Sequence, residues 1–396
     1  MNAAPQNLTP SQASILRNAR DLLPDLRAQS AAINAARQIP DDVMALLRDA
    51  GLMQLARPRA FGGPQVEMRL IFMVAQVLAE GDGSTAWVYG VTNSHDHLIG
   101  LYPREVQEAY WHSPQPLSAS SYQPQGRAER VDGGYRLTGR WSFCSGIDHS
   151  SWLVVGCLAP PPGASAPSLL LFLLRKDEVV VDDDWYMMGL AGTGSKSVVV
   201  DDLFVPDARV LDNAAVVEGR TPGAAIHEDP LYHTSIWPLF GFSILAPATG
   251  IVRGAYETMI AEVRKRVSGG DPTFAARQTP AQLRLAEVGA LLESSELLFR
   301  ASLTETSALI ASGRPLSTEL RVRNRRNQAF IARNCREAVD ILMQLAGGRG
   351  LKENAPIQRA MRDLYAISAH PGGNWDAAMS SFGSVLLGGP PTEMFC

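Results

Sequence analysis

Apolar positions along this chain follow two rhythms, and the rhythm changes twice. From Thr9 to about Tyr110 the spacing is helical. Ile15, Ala19, Leu22, Leu23 and Leu26 line one stripe, and Thr9-Pro10-Ser11-Gln12 supplies an N-cap, a proline at the first helical position and a capping-box glutamine. A second helix is predicted to open at Pro40-Asp41-Asp42, where Val43, Leu46 and Leu47 give an apolar face and Gly51 stands where a glycine cap belongs. Residues 66–80 and 84–100 continue the pattern.

Near Leu117 the period shortens. Up to about Val210, β-branched or alternating runs (Tyr135–Trp141, Ser151–Cys157, Leu169–Leu174, Val179–Val181, Val198–Val200) are separated by Gly-Gly, Pro-rich and Asp-rich breaks, with Pro160–Gly163 as a loop. Beyond about Ser243 long helical periodicity returns over 248–267, 280–312, 318–345 and 355–369. The expectation is an α+β chain. It comprises an N-terminal helical domain over 1–115, a central antiparallel β-barrel over 116–215 and a C-terminal four-helix bundle over 216–396.

Composition narrows the functional classes. The 36 basic and 40 acidic side chains nearly cancel, to a net charge of −4, without a Lys/Arg block of the kind that binds nucleic acid. Cys144, Cys157, Cys335 and Cys396 lack CxxC spacing and read as free thiols in a reducing cytoplasm, with no structural metal expected. The absence of an 18-residue apolar run and of a basic leader followed by an apolar stretch argues against a membrane or secreted protein.

Three tempting motifs do not survive. Gly189–Lys196 imitates a phosphate loop but leads into Ser197-Val198-Val199-Val200, where a nucleotide loop needs a helix N-terminus. His95 and His97 are two residues apart and cannot share a helical face as metal ligands. No GxSxG elbow is present.

Several segments, taken in order, resemble the acyl-CoA dehydrogenase superfamily: Gly51-Leu52 with Pro58 and Gly62-Gly63, then Gly134–Gly146, Gly189–Pro206, Gln344-Leu345-Ala346-Gly347-Gly348-Arg349-Gly350 and Ala355–Asp363. Within it, Ser145-Gly146-Ile147-Asp148-His149, Asp184–Ser195 and Asn354–Arg359 resemble the oxygenase components of two-component flavin monooxygenases. A dehydrogenase needs a carboxylate base after the Arg-Asp helix. Here that stretch reads Ser368-Ala369-His370-Pro371-Gly372-Gly373-Asn374-Trp375, and Asp376 and Glu257 are the nearest substitutes.

The resemblance implies an enzyme that takes reduced FAD or FMN from a separate NAD(P)H-dependent reductase. With O2, through a flavin hydroperoxide, it would hydroxylate or epoxidise a small phenolic or indolic substrate. It implies flavin contact for Ser145, acid–base work for His370 and substrate contact for His97. Trp141, Ser142, Phe143, Arg266, Gln344, Gly347 and Gly348 are implied to hold the cofactor, the glycines approaching it from a neighbouring subunit of a homotetramer. Each has a plainer reading: Ser145-Gly146 as turn residues, His370 at a helix end, His97 in a core, Arg264-Lys265-Arg266 as a solvated face. Trp141 and Phe143 alternate along a strand and are expected to share a face. A dehydrogenase or flavin oxidase, and a catalytically silent binding scaffold, remain as alternatives.

Overall fold

The structure is a computed structural model that describes residues 8–265 and 279–393. Six helices come first: α1 (Pro10–Asp21), α2 (Leu23–Ala36), α3 (Asp41–Asp49), α4 (Met68–Ala79), α5 (Gly83–Ile99) and α6 (Arg104–Trp111). The capping box forms as expected, with the Thr9 hydroxyl accepting from the Gln12 N–H and Gln12 Oε1 accepting from the Thr9 N–H at 2.9 Å. Gly51 adopts φ +68° after α3, the left-handed conformation that glycine reaches without a Cβ clash.

Eight strands follow: β1 (Ser118–Ser121), β2 (Gly126–Val131), β3 (Gly134–Trp141), β4 (Trp152–Ala159), β5 (Ser168–Arg175), β6 (Val180–Asp182), β7 (Ser197–Pro206) and β8 (Val210–Asp212). They form two four-stranded sheets, ordered β1-β4-β5-β8 and β2-β3-β7-β6. All pairs are antiparallel except β1 with β4, which run parallel. β4 and β5 are apolar on both faces. Leu153, Val155, Leu170 and Phe172 pack towards the other sheet, and Val154, Leu169, Leu171 and Leu173 pack against α5 and α6. That double burial explains the unbroken run Leu169–Leu174. Trp141 and Phe143 do not share a face, because β3 ends at Trp141 and Phe143 turns at φ +67°. Trp141 is wholly buried and donates its indole N–H to the Gly156 carbonyl at 2.7 Å, whereas Phe143 is 58% exposed.

After β8 come α7 (Asn213–Val217), α8 (Trp237–Lys265), α9 (Thr279–Ala311), α10 (Thr318–Ala346), α11 (Pro356–Ala369) and α12 (Trp375–Leu386). α8 starts well before the expected Ala248 and carries Pro247 inside it. By length and composition α8 could cross a membrane, yet 67% of its most apolar window is buried in this protein. The helices at the two ends share one core, in which Phe72 of α4 stacks on Phe242 of α8 and Phe242 meets Phe299 of α9 edge-on. A Cβ on Gly250 of α8 would stand 2.0 Å from the Gln76 carbonyl of α4, so glycine sets how closely these helices cross.

Gly250→Ala is therefore expected to cost about 1–3 kcal/mol through forced separation of α4 and α8, read as a lower urea midpoint. Gly383→Ala in α12, where a new Cβ meets nothing within 4 Å, should be neutral or gain up to about 1 kcal/mol of helix propensity. Equal losses from the two substitutions would refute the packing account.

Candidate active site

Two turns that the sheet edges bring together build the polar centre of the molecule. The segment after β3 pairs with the segment before β7: the Cys144 N–H donates to the Lys196 carbonyl at 3.2 Å and the Gly146 N–H to the Thr193 carbonyl at 3.0 Å. Each turn holds a non-glycine residue in the left-handed region, Phe143 at φ +67° and Leu190 at φ +51°. Such conformations persist only where the surroundings over-determine them.

The side chains there form a hydrogen-bond chain with one direction. Thr193 donates its hydroxyl to the Leu190 carbonyl at 2.8 Å, so its oxygen accepts from Ser195 at 2.7 Å. The Ser195 oxygen in turn accepts from Ser145 at 2.7 Å, and the Ser145 oxygen accepts the indole N–H of Trp87, from α5, at 3.1 Å. Ser145 is thereby left with spare acceptor capacity and no spare donor.

Trp87 also meets His370 edge-on, with ring centroids 5.4 Å apart, and so joins the two residues singled out by motif. His370 follows α11, and its Nδ1 accepts the Gly372 N–H at 2.9 Å, which leaves the proton on Nε2. Burial, helped by the Arg325 guanidinium, pushes this imidazole down to about 4. His370, half-buried as a residue, is thus a neutral Nε2–H donor at pH 7.

His95 and His97 leave α5 on opposite sides. His95 donates from Nδ1 to the Ser118 carbonyl at 2.6 Å and accepts at Nε2 from the Ser120 hydroxyl at 2.9 Å. Its ring stacks on Phe240 at 5.9 Å, beside Tyr122 and Trp237. Phe240 lies one turn before Ile244 of α8, and Ile244 packs against Gly372, so His95 and the His370 turn flank one strip of α8. His97 instead donates to the Leu231 carbonyl at 3.1 Å and packs on Tyr232 at 5.1 Å, outside this cluster. Burial drives both imidazoles down to about 4.

The other expected residues divide. Trp141 is a core residue, and its side chain has no surface to offer a cofactor. Ser142 is half-buried at the edge of the cluster, its carbonyl accepting from Ser121 at 2.7 Å, and Phe143 presents an exposed ring edge-on to Trp185 at 5.8 Å. Gln344, Gly347 and Gly348 are exposed at the end of α10, apart from Ser145 and His370. Arg266 lies outside the described residues. The motif reading misses Trp87, Thr193, Ser195 and His95 as parts of the cluster. Two surface clefts, of about 320 Å³ beside Arg57 and Trp111 and about 480 Å³ beside Leu309 and Phe382, share no residue with it.

Asp363 of α11 fixes the Leu190 turn by accepting the Leu190 N–H at 2.6 Å. Burial, with Asp82 nearby, pushes its carboxyl up to about 7. Between pH about 4 and about 7 the folded chain then holds a proton that the unfolded chain has released, so stability from this group falls as pH rises. Asp363→Asn keeps the acceptor and cannot titrate. Its urea midpoint should vary less with pH than the wild type across that window, and parallel profiles would remove Asp363 as a buried titrating group.

Residues 9–114 match the acyl-CoA dehydrogenase N-terminal domain and residues 242–375 the acyl-CoA dehydrogenase C-terminal domain. Over 383 residues the chain is 33% identical to the flavin-dependent monooxygenase, oxygenase subunit HsaA, of Mycobacterium tuberculosis, covering 96% of this chain and 97% of that one. It is 32% identical over 380 residues to the FADH(2)-dependent resorcinol hydroxylase, oxygenase component, of a Rhizobium species, covering 93% of each. Its fold is similar to the crystal structure of 3-HSA hydroxylase from Rhodococcus sp. RHA1, with a TM-score of 0.92 at 31% identity over 97% of this chain and 99% of that one. Two matched domains and relatives this similar over nearly the whole length establish that the chain belongs to the acyl-CoA dehydrogenase family, on the branch that holds oxygenase subunits of flavin-dependent monooxygenases.

Proposed function

We propose that this protein is the oxygenase component of a two-component monooxygenase. It would use reduced FAD or FMN, delivered by a separate NAD(P)H-dependent reductase, and O2 to hydroxylate or epoxidise a small phenolic or indolic compound. The observation that carries this reading is the pairing, across Trp87, of a buried hydroxyl with acceptor capacity and a neutral imidazole N–H.

The residues fit a reduced flavin. The directed chain ending at Ser145 suits an N–H of a reduced ring, and the exposed faces of Phe143, Met187 and Met188 suit its apolar edge. Exposed Gly347, at φ +60°, and Gly348 leave room for backbone to approach a cofactor held with a neighbouring subunit of a homotetramer. When bound, reduced flavin supplies the electrons that activate O2 for transfer of one oxygen atom to an aromatic ring.

The chain's own residues then have distinct tasks. Ser145 orients the ring by accepting its N–H. With reduced flavin and O2 bound, the His370 Nε2–H would be the group able to hydrogen-bond the bound oxygen and to supply a proton to the oxygen atom that is not transferred. Trp87 spaces the two and excludes water. His95, Ser120, Tyr122, Trp237 and Phe240 form an aromatic wall with hydroxyls and a neutral imidazole, chemistry suited to a flat, uncharged substrate. A dehydrogenase would need a carboxylate here. Glu257 instead faces Arg27 at 3.8 Å, and Asp376 is exposed in the first turn of α12. Near-neutral charge and reduced thiols suit a cytoplasmic setting.

The test is to mix the protein with reduced FAD or FMN, oxygen and a panel of phenols and indoles, and to measure product and hydrogen peroxide per flavin oxidised. Product is expected from the wild type, and wholesale conversion of flavin to peroxide with every substrate would sink the reading. His370→Ala should cut product formation by about 10²–10⁴-fold and Ser145→Ala should raise the peroxide share. His95→Ala should impair turnover more than His97→Ala. The reverse order would move the substrate to the Tyr232 side of α5.

A further inference from the structure

The guanidinium of Arg325, on α10, has five N–H groups and makes five hydrogen bonds. Two go to Glu393, in the segment that follows α12: Nη2 to Oε1 at 2.7 Å and Nε to Oε2 at 3.2 Å. One goes to Gln328 Oε1 at 3.1 Å. The remaining two reach the turn after His370, where Nη1 donates to the Gly372 carbonyl at 2.8 Å and Nη2 to the Pro371 carbonyl at 3.1 Å.

That turn sets the imidazole. The Gly372 N–H donates to His370 Nδ1 at 2.9 Å, and the Gly373 N–H donates to the His370 carbonyl at 2.8 Å. The fit is close, since a Cβ on Gly372 would stand 3.1 Å from His370 Nδ1 and 3.4 Å from Ile244. Arg325 therefore grips, by its carbonyl, the residue whose N–H fixes the His370 tautomer. Both partners of the pair are largely buried, with side-chain exposures of 10% for Arg325 and 15% for Glu393. A buried guanidinium needs a buried counter-charge to stay in place. Glu393 itself is brought there by a fold-back along α12: the Thr392 N–H donates to Ser381 at 3.1 Å, and Ser384 donates to the Pro390 carbonyl at 2.7 Å.

We propose that Arg325, locked by Glu393, is the positioning residue for His370, so that the segment after α12 governs how the active-site imidazole is presented. Arg325 acts only through the turn and its charge. The His370 ring meets Trp87 from α5, its turn lies against Ile244 from α8 and Arg325 from α10 with Glu393 behind it, and among the described residues Arg325 is the charge that acts on the imidazole. This role rests on the reading of His370 as the proton donor given above, so its test includes an arm that needs no turnover.

The full-length protein is compared with Arg325→Met/Glu393→Met, which removes both charges together and leaves neither buried alone. Histidine C2–H exchange followed by mass spectrometry gives the titration midpoint of the peptide carrying His370. The wild-type midpoint should lie well below the ordinary 6.5, chiefly through burial, and removal of the Arg325 charge in the double variant should move it up by more than about 0.3 unit, a twofold change in proton affinity. An unmoved midpoint overturns the proposal. In turnover, Arg325→Lys keeps the buried cation and loses the fork that holds both carbonyls. It should raise the ratio of peroxide to product at least about threefold through kcat, with the substrate KM little changed. Coupling equal to wild type in Arg325→Lys also overturns the proposal, whether or not the double variant folds. If the wild type makes no product with any substrate, the proposed function fails while the exchange midpoint still judges the clamp.

Discussion

Burial without charge on its hydroxyls and imidazoles is the constraint around which the centre of this protein is arranged. Ser145, Ser195, Thr193 and Trp87 are nearly inaccessible, and His95 and His370 are held neutral by desolvation. A buried polar group without a partner costs roughly 1–3 kcal/mol, so each hydroxyl here has partners, some local, as Thr193 has in Leu190 and Ser195, and some distant, as Ser145 has in Ser195 and Trp87. The result is a row of donors and acceptors with a fixed sense, ending at one open acceptor on Ser145 and one open donor on His370. Asp363 extends the same logic to the backbone, because burial favours the uncharged form of the carboxyl that holds the Leu190 turn.

Local signals read correctly wherever one segment decides its own shape. The capping box at Thr9, the glycine after α3 and the doubly buried strands β4 and β5 are set by neighbours in sequence or by a single apolar layer. β1 and β2 are harder, because Ser118–Ser121 and Gly126–Val131 lack an apolar alternation. Pro247 hides the first half of α8, since a proline normally ends a helix and here the break falls inside a packed one. α5 reads as a helix but its faces cannot be told apart: all 17 of its residues are buried, polar ones included, so no stripe distinguishes the His95 side from the His97 side.

Site residues show the same division. Ser145 and His370 could be singled out because each lies in a short motif of fixed spacing, and the fold brings both to Trp87. Trp87, Ser195, Asp363 and Arg325 could not be, because their roles arise from contacts with residues 58, 50, 173 and 47 positions away. The shared face expected of Trp141 and Phe143 fails for a different reason. Alternation holds only while the strand lasts, and a single left-handed residue two positions beyond Trp141 sends the ring outwards.

The shared core of the two helical regions has a consequence for synthesis. α4 is apolar through most of its length, and besides α1 and α5 it packs on α8, about 170 residues later. At a ribosomal rate of about 5–20 residues per second, α4 waits roughly 10–30 s before its partner exists. During that interval the β-sheets can close on local pairings while the first helices stay uncovered. The nascent chain thus holds every partner of its β-sheets before it holds those of its first helices, and only the second helical half completes their core.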